Sequence, residues 1–171
     1  VTAVLVGASG GIGQAMLAQL LDEPRVSRVY ACARRIPDSL KQQASLHPDR
    51  LSLHSIDLSQ EASIAACAEQ LKGITPNLVL ITTGLLHAED SLPEKSWRNL
   101  ESDYFQQQMQ INALAPALLA KHLIPLLPKD QRAVFAALSA RVGSIGDNRL
   151  GGWYSYRASK AALNIAALYR D

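Results

Sequence analysis

Cysteine is scarce in this sequence, with only Cys32 and Cys67 among 171 residues. Neither belongs to a paired motif and both lie in apolar patterns, so we expect reduced packing residues of a cytoplasmic protein rather than a disulfide framework. Histidine is scarce too, and the four histidines lack the spacing of metal ligands. We therefore expect no metal site.

An excess of charge of one sign is also missing, since the net charge is only +2. No basic run alternates with aromatic residues, which argues against nucleic acid or an anionic membrane as a partner. The longest apolar region, 114–127, contains Lys121 and His122, so no membrane span is predicted. No signal peptide is predicted, because the first apolar run ends in glycines. Apolar residues still make up 48%, enough for one folded domain.

The first thirteen residues, VTAVLVGASGGIG, are an apolar run that ends in a glycine-rich turn. A helical pattern follows directly, so this stretch predicts a buried strand, a tight turn and a helix start. Glycine lets the backbone bend sharply and lets a pyrophosphate approach the helix N-terminus. The glycines fit both G-x-x-x-G-x-G and G-x-x-G-x-x-G, so they do not choose between subtypes of dinucleotide fold. The candidate cofactor-binding residues of this turn are Gly7, Ser9, Gly10, Gly11, Ile12 and Gly13.

Strand and helix patterns alternate along the whole chain. Strands are predicted at 2–6, 28–33, 51–56, 77–82 and 132–139, and helices at 13–22, 39–45, 60–71, 100–123 and from 154 onward. We expect Ser59 to cap the third helix and Pro116 to bend the fourth. The alternation predicts an α/β fold, a Rossmann-type doubly wound parallel β-sheet with helices on both faces. Ligands of such sheets lie beyond the carboxyl ends of the strands. Five segments should meet there: 7–13, 33–35, 57, 82–84 and 139–143.

The segment Tyr156-Arg-Ala-Ser-Lys160 places a phenol and an ammonium four residues apart, on one helix face. A nearby ammonium favours phenolate, so we expect Lys160 to lower the pKa of Tyr156. Such a phenol can protonate a carbonyl oxygen as hydride arrives, or accept the proton of an alcohol in the reverse direction. The alternative is a solvent-facing pair on an amphipathic helix.

These motifs together resemble the short-chain dehydrogenase/reductase family, in its carbonyl-reductase-like branch, which includes sniffer and C-factor proteins. The match covers the whole chain and implies a single NAD(P)-binding Rossmann domain, 1–171, without the strands that the family has after its catalytic helix. The motifs are GASGGIG, Asp57-Leu58, the NLVLITTG stretch that ends in Thr83-Gly84, Asn112 in QINALAPALLAKHL, and YRASKAALN. The resemblance implies that Asp57 and Leu58 contact adenine, that Asn112 supports a proton-relay water, that Tyr156 is the acid/base, and that Lys160 binds the nicotinamide ribose. It also implies a homodimer or homotetramer.

The sequence departs from the family pattern at three places. Val6 stands where threonine is usual, and Ile81-Thr82-Thr83 replaces Asn-Asn-Ala. The family serine that holds the substrate oxygen is usually the second of S-S-x-x-G, where this chain has Ala140. Ser139 is our candidate for that role, and Ser144 is the alternative.

Cofactor choice depends on the end of the second strand, where the sequence reads Ala33-Arg34-Arg35. An acidic residue there would favour NAD through the ribose hydroxyls, whereas a guanidinium suits a 2′-phosphate. We therefore predict NADP(H), with Arg34 as its main contact. The alternative is a solvated arginine pair at the start of a loop.

Three functions follow as hypotheses. The first is an NADP(H)-dependent oxidoreductase that acts on a small carbonyl or alcohol substrate, with catalytic residues Tyr156, Lys160, Ser139 and Asn112. The second is an NAD(P)-binding sensor or signalling protein with little turnover, which Ala140 and the C-factor resemblance favour. The third, a sugar-nucleotide epimerase, has only the ambiguous glycines in its favour.

Replacing Arg34 tests the cofactor prediction. We expect Arg34→Ala to weaken NADPH binding about tenfold or more while NADH binding changes little, because only NADPH carries the phosphate that the guanidinium would contact. Titration of both cofactors measures this. Unchanged NADPH affinity would refute the assignment.

Overall fold

A computed structural model describes residues 1–87 and 92–167. Its centre is a five-stranded sheet in the order β3-β2-β1-β4-β5, in which every neighbouring pair is parallel. The strands are β1 (Thr2–Val6), β2 (Arg28–Ala33), β3 (Leu51–Ser55), β4 (Leu78–Ile81) and β5 (Val134–Ala137). The helices between them are α1 (Gly11–Asp22), α2 (Asp38–Leu46), α3 (Glu61–Gln70), α4 (Ser102–Met109) and α5 (Ala115–Leu123). The predicted parallel α/β fold is confirmed.

The chain forms two compact units. The sheet unit comprises residues 1–83 and 119–137 and contains all five strands. The central strand β1 is an apolar run because both its faces are covered, and residues 3–6 are at most 1% exposed. Leu17 and Leu21 of α1 pack in the same core. This burial fixes where each strand ends, and the residues that follow the strands therefore have defined positions.

Two details of the sheet unit differ from prediction. Ser59 does not cap α3: the hydroxyl donates to Asp57 Oδ1 at 2.7 Å, and the N-cap residue is Gln60, without a side-chain bond. Helix α1 begins at Gly11 rather than Gly13, because the N–H of Gln14 already bonds to the carbonyl of Gly10.

The helical unit comprises residues 84–118 and those from 138 onward. It contains α4, a π-helical turn (Gln110–Leu114), two short 3₁₀ turns (Trp97–Asn99 and Arg141–Gly143), and α6 (Tyr154–Ala167). Helix α6 packs against α4, the π-turn and the second 3₁₀ turn. Within the described residues, no helix combines the length and the apolar character needed to cross a membrane.

The long predicted helix is interrupted before Pro116 rather than bent at it. The N–H of Ala115 bonds to the carbonyl of Gln110, five residues back, which widens this turn into a π-helix. Pro116 has no N–H to give to the carbonyl of Asn112, so the normal four-residue ladder is already broken at that point. The widened turn carries Asn112, and single π-turns of this kind are frequent at functional sites.

Candidate active site

The turn after β1 depends on two glycines. Gly7 has φ +93°, a conformation that L-residues with a side chain rarely adopt. A Cβ on Gly13 would lie 2.1 Å from the carbonyl oxygen of Gly7, so α1 can approach the turn only without a side chain there. The N–H of Gly10 closes the turn by bonding to the same oxygen at 3.1 Å. Gly7 and Gly13 are therefore required by the fold itself.

The other two glycines of the turn have no such packing reason. A Cβ on Gly11 would meet nothing within 4 Å, and one on Gly10 would meet only the Gly7 oxygen, at an ordinary 3.5 Å. The N-cap of α1 makes no side-chain hydrogen bond, and the side chain of the neighbouring Ile12 is 58% exposed. The start of α1 thus offers N–H groups and open space, which fits the pyrophosphate of a dinucleotide.

Arg34 and Asp57 follow β2 and β3 at the same edge of the sheet. Arg34 is exposed. The N–H and hydroxyl of Ser59 both donate to Asp57, which lowers the pKa of that carboxyl, and the charge of Arg34 lowers it further. Leu58 is buried beside them. This end of the sheet therefore presents a guanidinium and an ionised carboxylate close together.

The two threonines after β4 differ in their hydrogen bonding. Thr82 Oγ1 donates to the carbonyl of Val6 at 2.9 Å, which ties β4 to β1 beyond the ladder. Thr83 Oγ1 is buried and has no hydrogen-bond partner among the described residues. A buried hydroxyl without a partner is costly, so Thr83 is suited to contact a polar ligand atom.

Tyr156 and Lys160 lie one turn apart on α6. Lys160 is only 2% exposed, and its ammonium donates to the carbonyl of Leu138 at 2.8 Å. The Lys160 nitrogen lies 5.8 Å from the centre of the Tyr156 ring. A Cβ on Gly84 would come within 3.4 Å of that nitrogen, so Gly84 leaves room for the ammonium. The predicted pair is therefore formed inside the helical unit, with Lys160 buried and Tyr156 half-buried.

Burial controls the ionisation of both groups. It raises the pKa of the Tyr156 phenol above its ordinary value and lowers the pKa of the Lys160 ammonium. Our expectation that Lys160 lowers the pKa of Tyr156 is wrong. The reason is that removal of the phenolate from water outweighs the attraction of an ammonium nearly 6 Å from the ring.

Asn112 is fully buried in the π-turn. Its carbonyl oxygen accepts from the N–H of Leu85 at 2.7 Å, and its amide nitrogen lies 2.8 Å from the carbonyl of Leu85 and 3.0 Å from Ser159 Oγ. A fourth contact, at 2.7 Å, joins that nitrogen to Gln108 Oε1. Asn112 thus links the segment after Gly84 to α6, beside the Tyr156–Lys160 pair.

The hydroxyl of Ser139 bonds to another residue of the helical unit, Asn164. Ser139 is exposed, and its hydroxyl donates to Asn164 Oδ1 at 2.5 Å. Asn164 lies two turns beyond Tyr156 on α6, about 12 Å along the helix axis. Ser144 is exposed and directly follows the 3₁₀ turn. Among the described residues, no hydrogen bond joins either serine to Tyr156.

The sequence analysis missed Glu94. This residue is 1% exposed, and its carboxylate accepts from the N–H and the hydroxyl of Ser155 in the first turn of α6. Nothing in the local pattern around Pro93 marks it. The one available signal was the Gly151-Gly152 pair just before α6, which indicates an unusual turn in need of support.

Comparison with known proteins identifies the family. The sequence model of the short chain dehydrogenase family matches residues 1–168. The chain belongs to this family. It is 31% identical over 169 residues, 98% of the chain, to 1-hydroxy-2-glutathionyl-2-methyl-3-butene dehydrogenase from Rhodococcus, of which it covers 68%. The resemblance drawn from the motifs is thereby confirmed.

A solved structure supports the carbonyl-reductase-like branch. The NADPH-bound carbonyl reductase from chicken fatty liver is 30% identical, with a TM-score of 0.83, and the match covers 96% of this chain and 70% of that one. The C-signal protein of Myxococcus xanthus is 43% identical, but only over 56 residues, 33% of this chain and 34% of that protein. The chain spans 62–68% of the length of three curated relatives that it matches along nearly its whole sequence.

The contrast between the two kinds of glycine can be tested with a matched pair of variants. We expect Gly13→Ala to destabilise the protein by several kcal/mol, at least ~2 kcal/mol, because its Cβ would overlap backbone atoms. Gly11→Ala should leave stability unchanged or raise it by up to ~1 kcal/mol, since alanine favours a helix.

NADPH affinity, measured on the folded fraction, should depend on the two glycines in the opposite way. Gly11→Ala should weaken NADPH binding, because the new methyl group occupies the space of the ligand. Urea unfolding and cofactor titration measure the two effects. Equal destabilisation by both variants would contradict this account of the turn.

Proposed function

We propose that this chain is the cofactor-binding and catalytic part of an NADP(H)-dependent oxidoreductase that interconverts a carbonyl and an alcohol. Family membership supports the oxidoreductase class. The observation that carries the proposal is the buried Lys160 ammonium, fixed on Leu138 at 2.8 Å and placed 5.8 Å from the ring of Tyr156. A solvated pair on an amphipathic helix would not have an ammonium only 2% exposed.

The cofactor assignment has support from two directions. Structures of relatives hold NADPH in the chicken carbonyl reductase and NADP in a Pseudomonas aeruginosa carbonyl reductase. In this chain Arg34 is exposed and basic where an NAD site would have an acidic residue. We propose that the glycine turn holds the pyrophosphate, that Arg34 contacts the 2′-phosphate, and that Asp57, Leu58, Thr83 and Gly84 complete the contacts.

A bound reduced nicotinamide would supply the hydride that the carbonyl carbon needs. In our proposal the Tyr156 hydroxyl donates its proton to the carbonyl oxygen, and its raised pKa keeps it protonated until that oxygen becomes negative. Lys160 would hold the nicotinamide ribose and, once the oxygen has taken the proton, would stabilise the phenolate that remains. Asn112, fixed between Leu85 and Ser159, orients the groups that return a proton to Tyr156.

The substrate oxygen requires a second donor, and we assign this role to Ser139. Its hydroxyl donates to Asn164 Oδ1 in the structure. To act on substrate it must exchange that partner for the carbonyl oxygen. Ser144 is the alternative donor.

A second function has specific support. Ala140 removes the usual serine, and the C-signal protein is 43% identical over 56 residues. A cofactor-binding sensor or signalling protein with little turnover is therefore the alternative. Tight NADPH binding without oxidation of NADPH by any of a panel of aldehydes and ketones would favour it.

The remaining expectations concern assembly and location. Leu114 and Ile165 of the helical unit are 48% and 72% exposed, which supports the proposed homodimer or homotetramer. The cytoplasmic location stays a prediction from the two buried, reduced cysteines.

Removal of the phenol hydroxyl tests the proposed acid. We expect Tyr156→Phe to lower kcat for carbonyl reduction at least about 100-fold, because general acid catalysis by a positioned side chain is worth that much or more. NADPH affinity should change little.

Tyr154→Phe is the matched control, since residues two apart on a helix point to different sides. The rate of NADPH oxidation is the measurement. A Tyr156→Phe enzyme as active as the Tyr154→Phe enzyme would refute the role.

Two serine variants decide which hydroxyl holds the substrate oxygen. We expect Ser139→Ala to lower kcat about 100-fold, the usual effect of losing one donor to a developing oxyanion. Ser144→Ala should retain activity within about twofold, as is common for an exposed residue away from the chemistry. Steady-state kinetics on one carbonyl substrate compares them. The reverse order would transfer the role to Ser144.

A further inference from the structure

The carboxylate of Glu94 is buried without an ionic partner. It is 1% exposed, and no ion pair among the described residues includes it. Its hydrogen-bond donors come from one residue, Ser155: the hydroxyl donates to Oε1, and the N–H lies 3.3 Å and 3.4 Å from the two carboxylate oxygens. A buried charge is costly unless hydrogen-bonded, so Ser155 and Glu94 constrain each other strongly.

The backbone of Glu94 holds the residues just before α6. Its carbonyl accepts from the N–H of Trp153 at 2.6 Å. Gly151, Gly152 and Trp153 have φ values of 64°, 68° and 54°, a run of three left-handed residues. For Trp153 this conformation is strained, and such strain persists only where surrounding contacts fix it. The Glu94 carbonyl is one of those contacts.

A third contact comes from the 3₁₀ turn that follows Glu94. The ring of Trp97 stacks on Tyr154, the first residue of α6, with centroids 3.7 Å apart and planes 16° from parallel. Residues 94–97 thus contact the start of α6 in three ways: through the Glu94 carboxylate, the Glu94 carbonyl and the Trp97 ring. We call this segment the 94–97 clamp.

The first turn of α6, which the 94–97 clamp contacts, carries the proposed acid, Tyr156. Tyr156 is the third residue of α6, next to Ser155, and the edge of the Trp153 ring faces it with centroids 6.3 Å apart. A shift of this first turn would move the phenol. The carboxylate also suits the place electrostatically, because a negative charge is stabilised at a helix N-terminus.

We propose that Glu94 is a positioning residue for catalysis: through Ser155 and Trp153 it fixes the first turn of α6 and thereby the orientation of the Tyr156 phenol. This inference rests on the proposed function of Tyr156. The carboxylate accepts from Ser155 at both oxygens. An amide has one acceptor, and to keep both contacts it must turn its nitrogen to the Ser155 hydroxyl oxygen, which reverses that hydrogen bond and removes the charge.

The decisive variant is Glu94→Gln, which keeps the shape and removes the charge. We expect kcat for NADPH-dependent carbonyl reduction to fall about 10-fold to 100-fold, as for misplacement of a reacting group by a fraction of an ångström to one ångström. The KM and Kd for NADPH should stay within about twofold, since the glycine turn and Arg34 are untouched. Glu101→Gln, at an exposed N-cap without a side-chain bond, is the matched control and should leave kcat unchanged.

A milder variant protects the test against misfolding. Ser155→Ala removes the hydroxyl donor and retains the N–H, so it should lower kcat in the same direction by a smaller factor. The double variant Glu94→Gln/Ser155→Ala should be no slower than Glu94→Gln alone, because both act through one contact. All rates are compared below the unfolding temperature of the least stable variant.

Four outcomes would count against the positioning role of Glu94 or against the proposed function. A lower unfolding temperature with unchanged kcat in Glu94→Gln would make Glu94 a structural cap only and overturn the proposal. Additive losses in the double variant would overturn the route through Ser155. If the wild-type protein oxidises no NADPH with any carbonyl, the proposed function fails instead. In that case the ring resonance of Tyr156, assigned by its loss in Tyr156→Phe, should shift in Glu94→Gln and not in Glu101→Gln. An unmoved resonance would then refute the positioning role by itself.

Discussion

The burial of the Lys160 ammonium is the constraint on which the catalytic helix depends. An ammonium has three donors, and the partner seen here is the carbonyl of Leu138, 2.8 Å away. Because an incompletely satisfied buried charge destabilises a fold, an apolar residue would serve stability better at this position. The surroundings are arranged to admit the charge all the same: Gly84 leaves space beside the nitrogen, and Gly143 lets its loop pass within contact of the Lys160 backbone. Such an arrangement is typical of a group kept for chemistry.

The cost of a buried polar group without a partner also distinguishes two threonines of the sheet unit, Thr82 and Thr83. The hydroxyl of Thr82 donates a hydrogen bond to the carbonyl of Val6, so its contribution is structural. Thr83, the next residue, has a buried hydroxyl without a partner among the described residues. Gly10 and Gly11 border open space. Unmet hydrogen-bonding capacity thus lies where β1 and β4 end, in addition to the buried His54 Nε2 of β3. A ligand with polar atoms in that place would recover free energy that the protein alone does not.

Much of the fold could be predicted because its causes are local. Parallel strands that are covered on both faces are continuous apolar runs, so β1 and β4 stand out in the sequence. The pair Tyr156–Lys160 follows from helix spacing alone. What could not be predicted depends on distant contacts. Glu94 meets Ser155 across 61 positions of sequence, and the direction of the Tyr156 pKa shift depends on burial, which spacing does not reveal. Ser59 failed as a cap because Asp57 competes for its hydroxyl.

The displaced serine has a geometric explanation. The backbone at Ala140 is extended, with φ −144° and ψ 147°, and side chains on extended backbone alternate between two sides. A hydroxyl moved from position 140 to position 139 therefore points to the other side, where Ser139 meets Asn164. On the proposed mechanism Ser139 must leave Asn164 to reach the substrate oxygen, whereas the raised pKa of Tyr156 keeps its phenol protonated and able to donate. The orientation of the Tyr156 hydroxyl therefore matters before the second donor is in place. A rigid first turn of α6, held by the 94–97 clamp, is the feature of this chain that meets the requirement.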